Sequence, residues 1–285
     1  MPPRAFAQAS AGKIDINPLS DNLFLLTGAG ANVIARTGSE GVLLVDGGLA
    51  ERAATLAAAV AALPRGRPVR TLLNTHWHPE QTGSNLILGR SGAAIVSHEN
   101  TRLWLSKDIN RPGEATTFKR LPKEALPNKT FYEKESIDID GERLELGYLL
   151  QAHTDGDIYV LFPNANVLVI GDVISADAWP YVDWWTGGWI NGIVSALDTL
   201  LKVANPQTRI VAAQGPMLTR ADLESQYKMF GTIAQRLRTM MFGGKSLSDA
   251  IAGNPTKEFD VRMGDPSQFV KLAFQSMWGH FTPDA

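Results

Sequence analysis

Thr75-His76-Trp77-His78-Pro79-Glu80-Gln81-Thr82-Gly83-Ser84-Asn85 is the stretch on which the reading of the whole chain turns. It follows the aliphatic and β-branched run 69–73, which reads as a buried strand delivering the chain into a loop. Two imidazoles one residue apart at a strand end can face the same way and share one cation. A carboxylate, Glu80, follows two residues later. Such a donor set suits zinc or a similar divalent ion, which accepts imidazole and carboxylate ligands. A turn carrying two surface histidines is the plainer alternative. It has to explain why two of only five histidines in the chain stand here.

Around this stretch the composition is that of an ordinary globular protein, with 285 residues, 44% hydrophobic and 20% charged. A formal charge of −2 gives no electrostatic case for nucleic acid or an anionic membrane surface as partner. Cysteine is absent, so any metal must be held by His, carboxylate or amide groups. No apolar run reaches the length of a membrane span. Near the N-terminus Ala5-Phe6-Ala7 has the small-x-small form of a signal-peptidase site without the apolar stretch that should precede it. That favours an exported, periplasmic or secreted protein with a shortened leader, the alternative being a plain tail on a cytoplasmic one. Residues 1–20 are accordingly expected to be tail or leader remnant, and 21–285 one domain.

Short apolar runs at 21–26, 32–36 and 42–45, punctuated by glycines, read as a strand meander closed by Asp46-Gly47-Gly48. A helix is expected over 49–63, where Leu56, Val60 and Leu63 share a face before Pro64, then the strand 69–73 and a helix opening near Ser84. Strand 94–97 and helix 99–105 come next. Residues 106–134, with Pro112, Pro122 and Pro127 and little periodicity, read as a long surface excursion, either a substrate cover or a solvated flap. Strands are expected again at 137–139, 144–146, 148–152, 158–162 and 167–170. A helix over 193–203, a strand at 210–213 and helices from about Arg220 complete the chain. Strand layers with flanking helices make an α/β or α+β sandwich.

The run His76-Trp77-His78-Pro79-Glu80-Gln81 resembles the metal-binding signature of the metallo-β-lactamase superfamily, His-x-His-x-Asp-His followed by a Gly-Asn pair. Glu80 stands where Asp is usual, lengthening the arm by roughly 1.5 Å, and Gln81 stands where the last His is usual. By motif order the resemblance covers roughly 22–215. It implies an α+β fold, the four-layer αββα sandwich, with a metal at one edge between the sheets. Ala152-His153-Thr154 is similar to the family's Gly-His-Thr segment, so His153 is implied as the third imidazole beside His76 and His78. Gly171-Asp172 is implied as the carboxylate beside the metal, although a bare Gly-Asp is also a common turn. Asp46 matches the aspartate that braces the metal loop, or is simply a turn residue. Ala213-Gln214-Gly215 falls where the family has Gly-His-Gly.

Gln81 and Gln214 both take imidazole away from the same second metal position. What is left there is Glu80, Asp172 and two amide oxygens, a harder and weaker set for zinc. One Zn2+ on the three histidines, with a fourth place open, is therefore the favoured arrangement. A loosely bound or harder second ion is the alternative. A three-imidazole zinc lowers the pKa of water from about 15.7 to about 7, and Asp172 or Glu80 is placed by the resemblance to orient that water and carry its proton. Hydrolysis of a small organic ester, lactone or amide, β-lactams included, is the reaction this implies. A binding or regulatory protein that kept the fold, and a mononuclear iron oxygenase, are the rivals.

Four of the seven tryptophans lie in Trp179-Pro180-Tyr181-Val182-Asp183-Trp184-Trp185-Thr186-Gly187-Gly188-Trp189. Trp179, Tyr181, Trp184, Trp185 and Trp189 could form an aromatic substrate wall, pack in the core, or meet another subunit. Phe242-Gly243-Gly244-Lys245-Ser246 lacks the leading glycine of a phosphate loop, since residue 239 is Thr239. No Gly-x-Ser-x-Gly elbow is present. His98 and His280, without ligand spacing, are expected in packing or surface roles.

Overall fold

The computed structural model describes residues 12–111 and 117–281. Ala5-Phe6-Ala7 and Pro112 lie outside the described residues. The chain divides into two compact units, one of residues 1–148 with 158–169, the other of 149–157 with 170–285.

The first unit holds a seven-stranded mixed sheet. Strands β1 (Asp15–Pro18), β2 (Leu23–Thr27), β3 (Val33–Thr37) and β4 (Val42–Val45) form an antiparallel meander. β3 and β4 are buried along their whole length. Their unbroken apolar runs therefore mark strands covered on both faces. Helix α1 (Ala53–Ala61), preceded by a 3-10 turn Ala50–Arg52, carries the chain over to β5 (Val69–Leu73), which pairs parallel to β4. The helix expected over 49–63 is thus a turn followed by a shorter helix. Leu56, Val60 and Leu63 pack with Leu44, Leu72 and Ile95 in one core. Short helices α2 (Pro79–Thr82) and α3 (Asn85–Arg90) lead to β6 (Ala94–His98), parallel to β5, and then to α4 (Glu99–Leu105).

The 106–134 excursion has more structure than its sequence suggests. β7 (Ile109–Asn110) and β8 (Thr117–Phe118) pair as a short ribbon. β9 (Lys129–Phe131) joins the sheet parallel to β6, in the register Val96 to Lys129 and His98 to Phe131. Segments of two and three residues are too short to show a period, so no sequence signal announces them.

His98 shows what its sequence role predicted. Its Nδ1 accepts from the backbone N–H of Asn100 at 3.2 Å, capping α4, and its Nε2–H reaches the Tyr132 carbonyl at 2.9 Å. The ring stacks on Tyr148 with centroids 3.9 Å apart. Burial, above all, holds its pKa below the ordinary histidine value. A pKa lowered by folding contributes stability that is present above the unfolded value of about 6.5 and is lost as pH falls through the folded one. The cap itself is worth about 1 kcal/mol. Urea unfolding of the wild type should therefore weaken more steeply between neutral and mildly acid pH than that of His98→Gln. Parallel pH profiles for the two proteins would refute this account.

In the same unit β10 (Lys134–Ile139), β11 (Glu142–Tyr148), β12 (Ile158–Phe162) and β13 (Val167–Val169) form an antiparallel ladder. β11 stops at Tyr148, so the strand expected over 148–152 is a loop from residue 149 on. Hydrogen bonds at both ends tie this ladder to the first sheet. Arg36 of β3, buried, reaches Glu142 at 3.1 Å, Asp140 at 3.2 Å and the Ile139 carbonyl at 3.1 Å. At the other end the N–H of Ile158 donates to the Thr75 carbonyl at 2.9 Å, beside the first histidine.

The second unit is mainly helical. Helix α5 (Ile190–Val203) buries Ile190, Ile193, Ala196, Leu197 and Leu200, a helical stripe. β14 (Arg209–Val211) lies beside Ile170, whose N–H donates to the Val211 carbonyl at 3.0 Å. α6 (Arg220–Phe242) opens with a capping box between Thr219 and Asp222, and α7 (Leu247–Ala252) with one between Ser246 and Asp249. α8 (Asp260–Met263) and α9 (Ser267–Phe281) complete the unit, with Phe269, Ala273, Phe274 and Met277 of α9 buried. Among the described residues no helix is long and apolar enough to cross a membrane.

Candidate metal centre

The loop after β5 is built on Asp46. Its backbone is left-handed, with φ of 64°, and its side chain is buried. One carboxylate oxygen accepts from the Thr75 N–H and the other from the Thr75 hydroxyl, both at 2.8 Å. The Thr75 hydroxyl also lies 3.2 Å from His76 Nδ1. A threonine hydroxyl has one proton, and Asp46 takes it. The contact to His76 then runs from Nδ1–H to the hydroxyl oxygen, which leaves the lone pair on Nε2. The contacts thus link Asp46 to the tautomer of His76 through Thr75, an arrangement that would suit a histidine holding a metal.

His78 precedes α2, and Pro79 occupies the first helical turn, where its missing N–H costs nothing. Asn74 fixes the far side of the loop. Its amide donates to the Gln81 carbonyl at 2.9 Å and exchanges two hydrogen bonds with Asn85, at 3.1 and 2.9 Å. Gly83 has to be glycine, because a Cβ there would stand 2.2 Å from the Ala50 nitrogen. The Gly-x-Asn ending of the sequence stretch is therefore architectural. Glu80 and Gln81 are buried within α2 rather than in the extended loop. Arg111, also buried, brings Nη2 to 3.4 Å from His78 Nε2 and lies over the Trp77 and Phe118 rings at 5.4 and 5.0 Å.

In the second unit His153 sits in the turn 149–157. Its Nδ1 is hydrogen-bonded to the Tyr181 carbonyl, so Nδ1–H is the donor and Nε2 again keeps its lone pair. Asp157 anchors the turn by accepting from the Thr154 N–H at 2.6 Å and the Thr154 hydroxyl at 3.1 Å. Burial nevertheless pushes its carboxyl well above the ordinary range, outweighing those donors.

The tryptophan-rich run clamps this turn by its backbone. The Asp183 N–H donates to the His153 carbonyl at 3.0 Å, and the Trp189 N–H to the Ala152 carbonyl at 3.1 Å. A Cβ on Gly188 would stand 2.1 Å from the His153 oxygen, and one on Gly192 would stand 1.8 Å from the Gln151 oxygen. Of the candidate wall residues, Trp179 is core, stacked on Phe269 at 4.7 Å with its indole N–H on the Gly264 carbonyl at 3.0 Å. Trp184 stacks on Trp185 at 4.1 Å, and Trp189 on His280 at 3.6 Å. Tyr181 contributes its carbonyl to His153.

One donor atom each from His76, His78, His153 and Asp172 lies within 4.8 Å of the others. The three imidazoles are buried and Asp172 is half-buried. Glu80 stands outside this group, and Gln214, half-buried, follows β14. Sequence reasoning missed Thr75, Arg111 and the Tyr181 carbonyl. Thr75 adjoins the motif and was legible as a second partner for Asp46. Arg111, in the aperiodic excursion, carried no signal.

The family model described as metallo-beta-lactamase superfamily matches residues 27–215. Among solved structures, a metallo-beta-lactamase from Pontibacter korlensis superposes with a TM-score of 0.62 at 19% identity, covering 77% of this chain and 99% of that one. The DIM-1 metallo-beta-lactamase gives 0.62 at 18% identity, covering 78% and 98%. A double mutant of the sec-alkyl sulfatase PisA1 gives 0.70 at 15% identity over 95% of this chain and 51% of that one. At these identities the likeness to the solved structures is one of fold.

Proposed function

The chain belongs to the metallo-β-lactamase superfamily and has its αββα fold, and from that premise we propose that it is a zinc-dependent hydrolase of a small organic ester, lactone or amide. The observation that carries the reading is the convergence of three buried imidazoles and one carboxylate within 4.8 Å. That donor set fits zinc, which takes nitrogen and oxygen ligands and, in catalytic sites, three protein ligands with one place open. His76, His78 and His153 would hold the ion. When bound, it supplies Lewis acidity and a water of lowered pKa.

The rest falls to the chain itself. Asp172, half-buried beside the imidazoles, orients the attacking water and passes its proton to the leaving group. Thr75 and the Tyr181 carbonyl keep Nε2 of His76 and His153 unprotonated. Gln81 and Gln214 stand where the family signature carries histidine, so a second ion, held by Glu80, Asp172 and amide oxygens, is weak. The same proposal places the protein in the periplasm or outside the cell, on the strength of Ala5-Phe6-Ala7.

A second reading has one observation in its favour. The likeness to the alkyl sulfatase extends over 95% of the chain, against 77 and 78% for the two lactamases. It makes a sulfate ester the bond cleaved by the same residues. A panel of lactam, lactone, carboxylic ester and alkyl sulfate substrates, run with zinc-loaded and chelator-treated protein, tests both. The expected result is turnover of one class, lost on chelation and restored by zinc. No turnover of any class by the loaded protein, or oxygen consumption with iron in its place, would overturn the hydrolase reading.

A further inference from the structure

A cavity of about 620 Å3 lies in the first unit, bounded by α1, α3, α4 and the β7–β8 ribbon. This is within the 300–1,000 Å3 range of small-molecule sites. Trp77, Leu105, Ile109 and Phe118 give it an apolar wall, Trp77 meeting Phe118 edge to face at 5.1 Å. Arg90, Lys107 and Lys119 line it as well, and among the described residues no acidic one does. All three cations are exposed. Lys119 has a carboxylate beside it, Asp108 at 2.8 Å, while Lys107 rests its ammonium over the Trp104 ring at 3.8 Å. None of these residues belongs to the four-donor group.

An apolar hollow whose charged lining residues, among those described, are all cations matches one kind of small molecule, an apolar tail ending in a single negative charge. The tail would remove water from the Trp77–Phe118 wall, a gain that grows with each buried methylene, and the head would stay at the rim among the ammonium groups. A neutral chain would gain the first contribution only, and a cationic chain would be repelled. We propose that this cavity is a binding site for an anionic amphiphile, an alkyl carboxylate or alkyl sulfate, with Trp77 as the wall it touches.

The test uses metal-free full-length protein, so that its outcome is independent of whether the hydrolase reading holds. Decanoate, decyl sulfate, decanol and decyltrimethylammonium are titrated below their micelle concentrations, following tryptophan fluorescence and heat. The expected result is saturable one-to-one binding of at least one anion, with the ammonium compound weaker by roughly tenfold or more. Which anion binds more tightly identifies the head group. The double reversal Lys107→Glu/Lys119→Glu should weaken anion binding by about tenfold and leave decanol unchanged.

Ala54→Trp, from an exposed position on the rim, should fill the hollow and abolish binding of every chain at unchanged far-UV circular dichroism. Ile87→Trp, exposed on α3, does the same job if the first variant does not fold. Absence of saturable binding, equal affinity for anion and ammonium, or binding that survives the filled cavity overturns the proposal.

Discussion

Replacing His76 or His153 by alanine is expected to abolish zinc retention and, with it, the proposed hydrolysis. Each ring is one of three imidazoles in the four-donor group, and two imidazoles with a half-buried carboxylate form a poorer, more open site. Losing only an outer partner of a ligand costs about 10–100-fold in metal affinity or activity, so losing the ligand itself should exceed about a hundredfold in both. Elemental analysis after dialysis, together with kcat/KM on whichever substrate class is turned over, reads the effect. His280→Ala is the control, since that exposed ring stacks on Trp189 and lies outside the group. Zinc content and rate unchanged in both His76→Ala and His153→Ala would remove the basis of the assignment.

The second large effect is expected from a change that leaves shape almost untouched, Asp46→Asn. Asparagine tolerates the left-handed backbone at this position, where φ is 64°, and its carbonyl can still accept from the Thr75 N–H. Its amide, however, now faces the Thr75 hydroxyl as a donor where the carboxylate was an acceptor. The hydroxyl turns its single proton toward His76 Nδ1, 3.2 Å away, and the imidazole proton moves to Nε2. That closes the atom a cation would use. A loss of about 10–100-fold in zinc affinity is expected, with little loss of folding stability. Competition against a chromophoric chelator measures the first and urea unfolding the second. Thr75→Val makes the complementary cut, leaving a buried carboxylate oxygen without its donor at about 1–3 kcal/mol. Unaltered zinc affinity in Asp46→Asn would show that the threonine relay does not set the tautomer.

Much of this was readable from the residues because the relevant signals are local. β2 to β4 are short apolar runs separated by glycine, and α4 begins and ends where its sequence pattern does. His76 and His78 declare themselves by spacing, and His153 and Asp172 by motif order. What stayed hidden depends on contacts distant in sequence. β9 is a strand because β6 lies beside it, not because Lys-Thr-Phe favours one. Arg111 acquires significance only when the chain brings it beside His78, 33 positions away. The stretch 149–152 looks like a continuation of β11, and only the packing of glycines against its carbonyls shows why it is a turn.

Those glycines bear on how the protein can change. Along 187–192, Gly188 and Gly192 let main chain touch main chain, and Gly187 takes a left-handed φ of 84° against the Asp155 side chain, a fit no side chain can replace. The one indole between them, Trp189, does other work, stacking on His280 at 3.6 Å. Variation directed at this run is therefore partitioned in advance. The aromatic positions act through their rings, while the three bare ones are closed to mutation for as long as the third imidazole is to be kept in place.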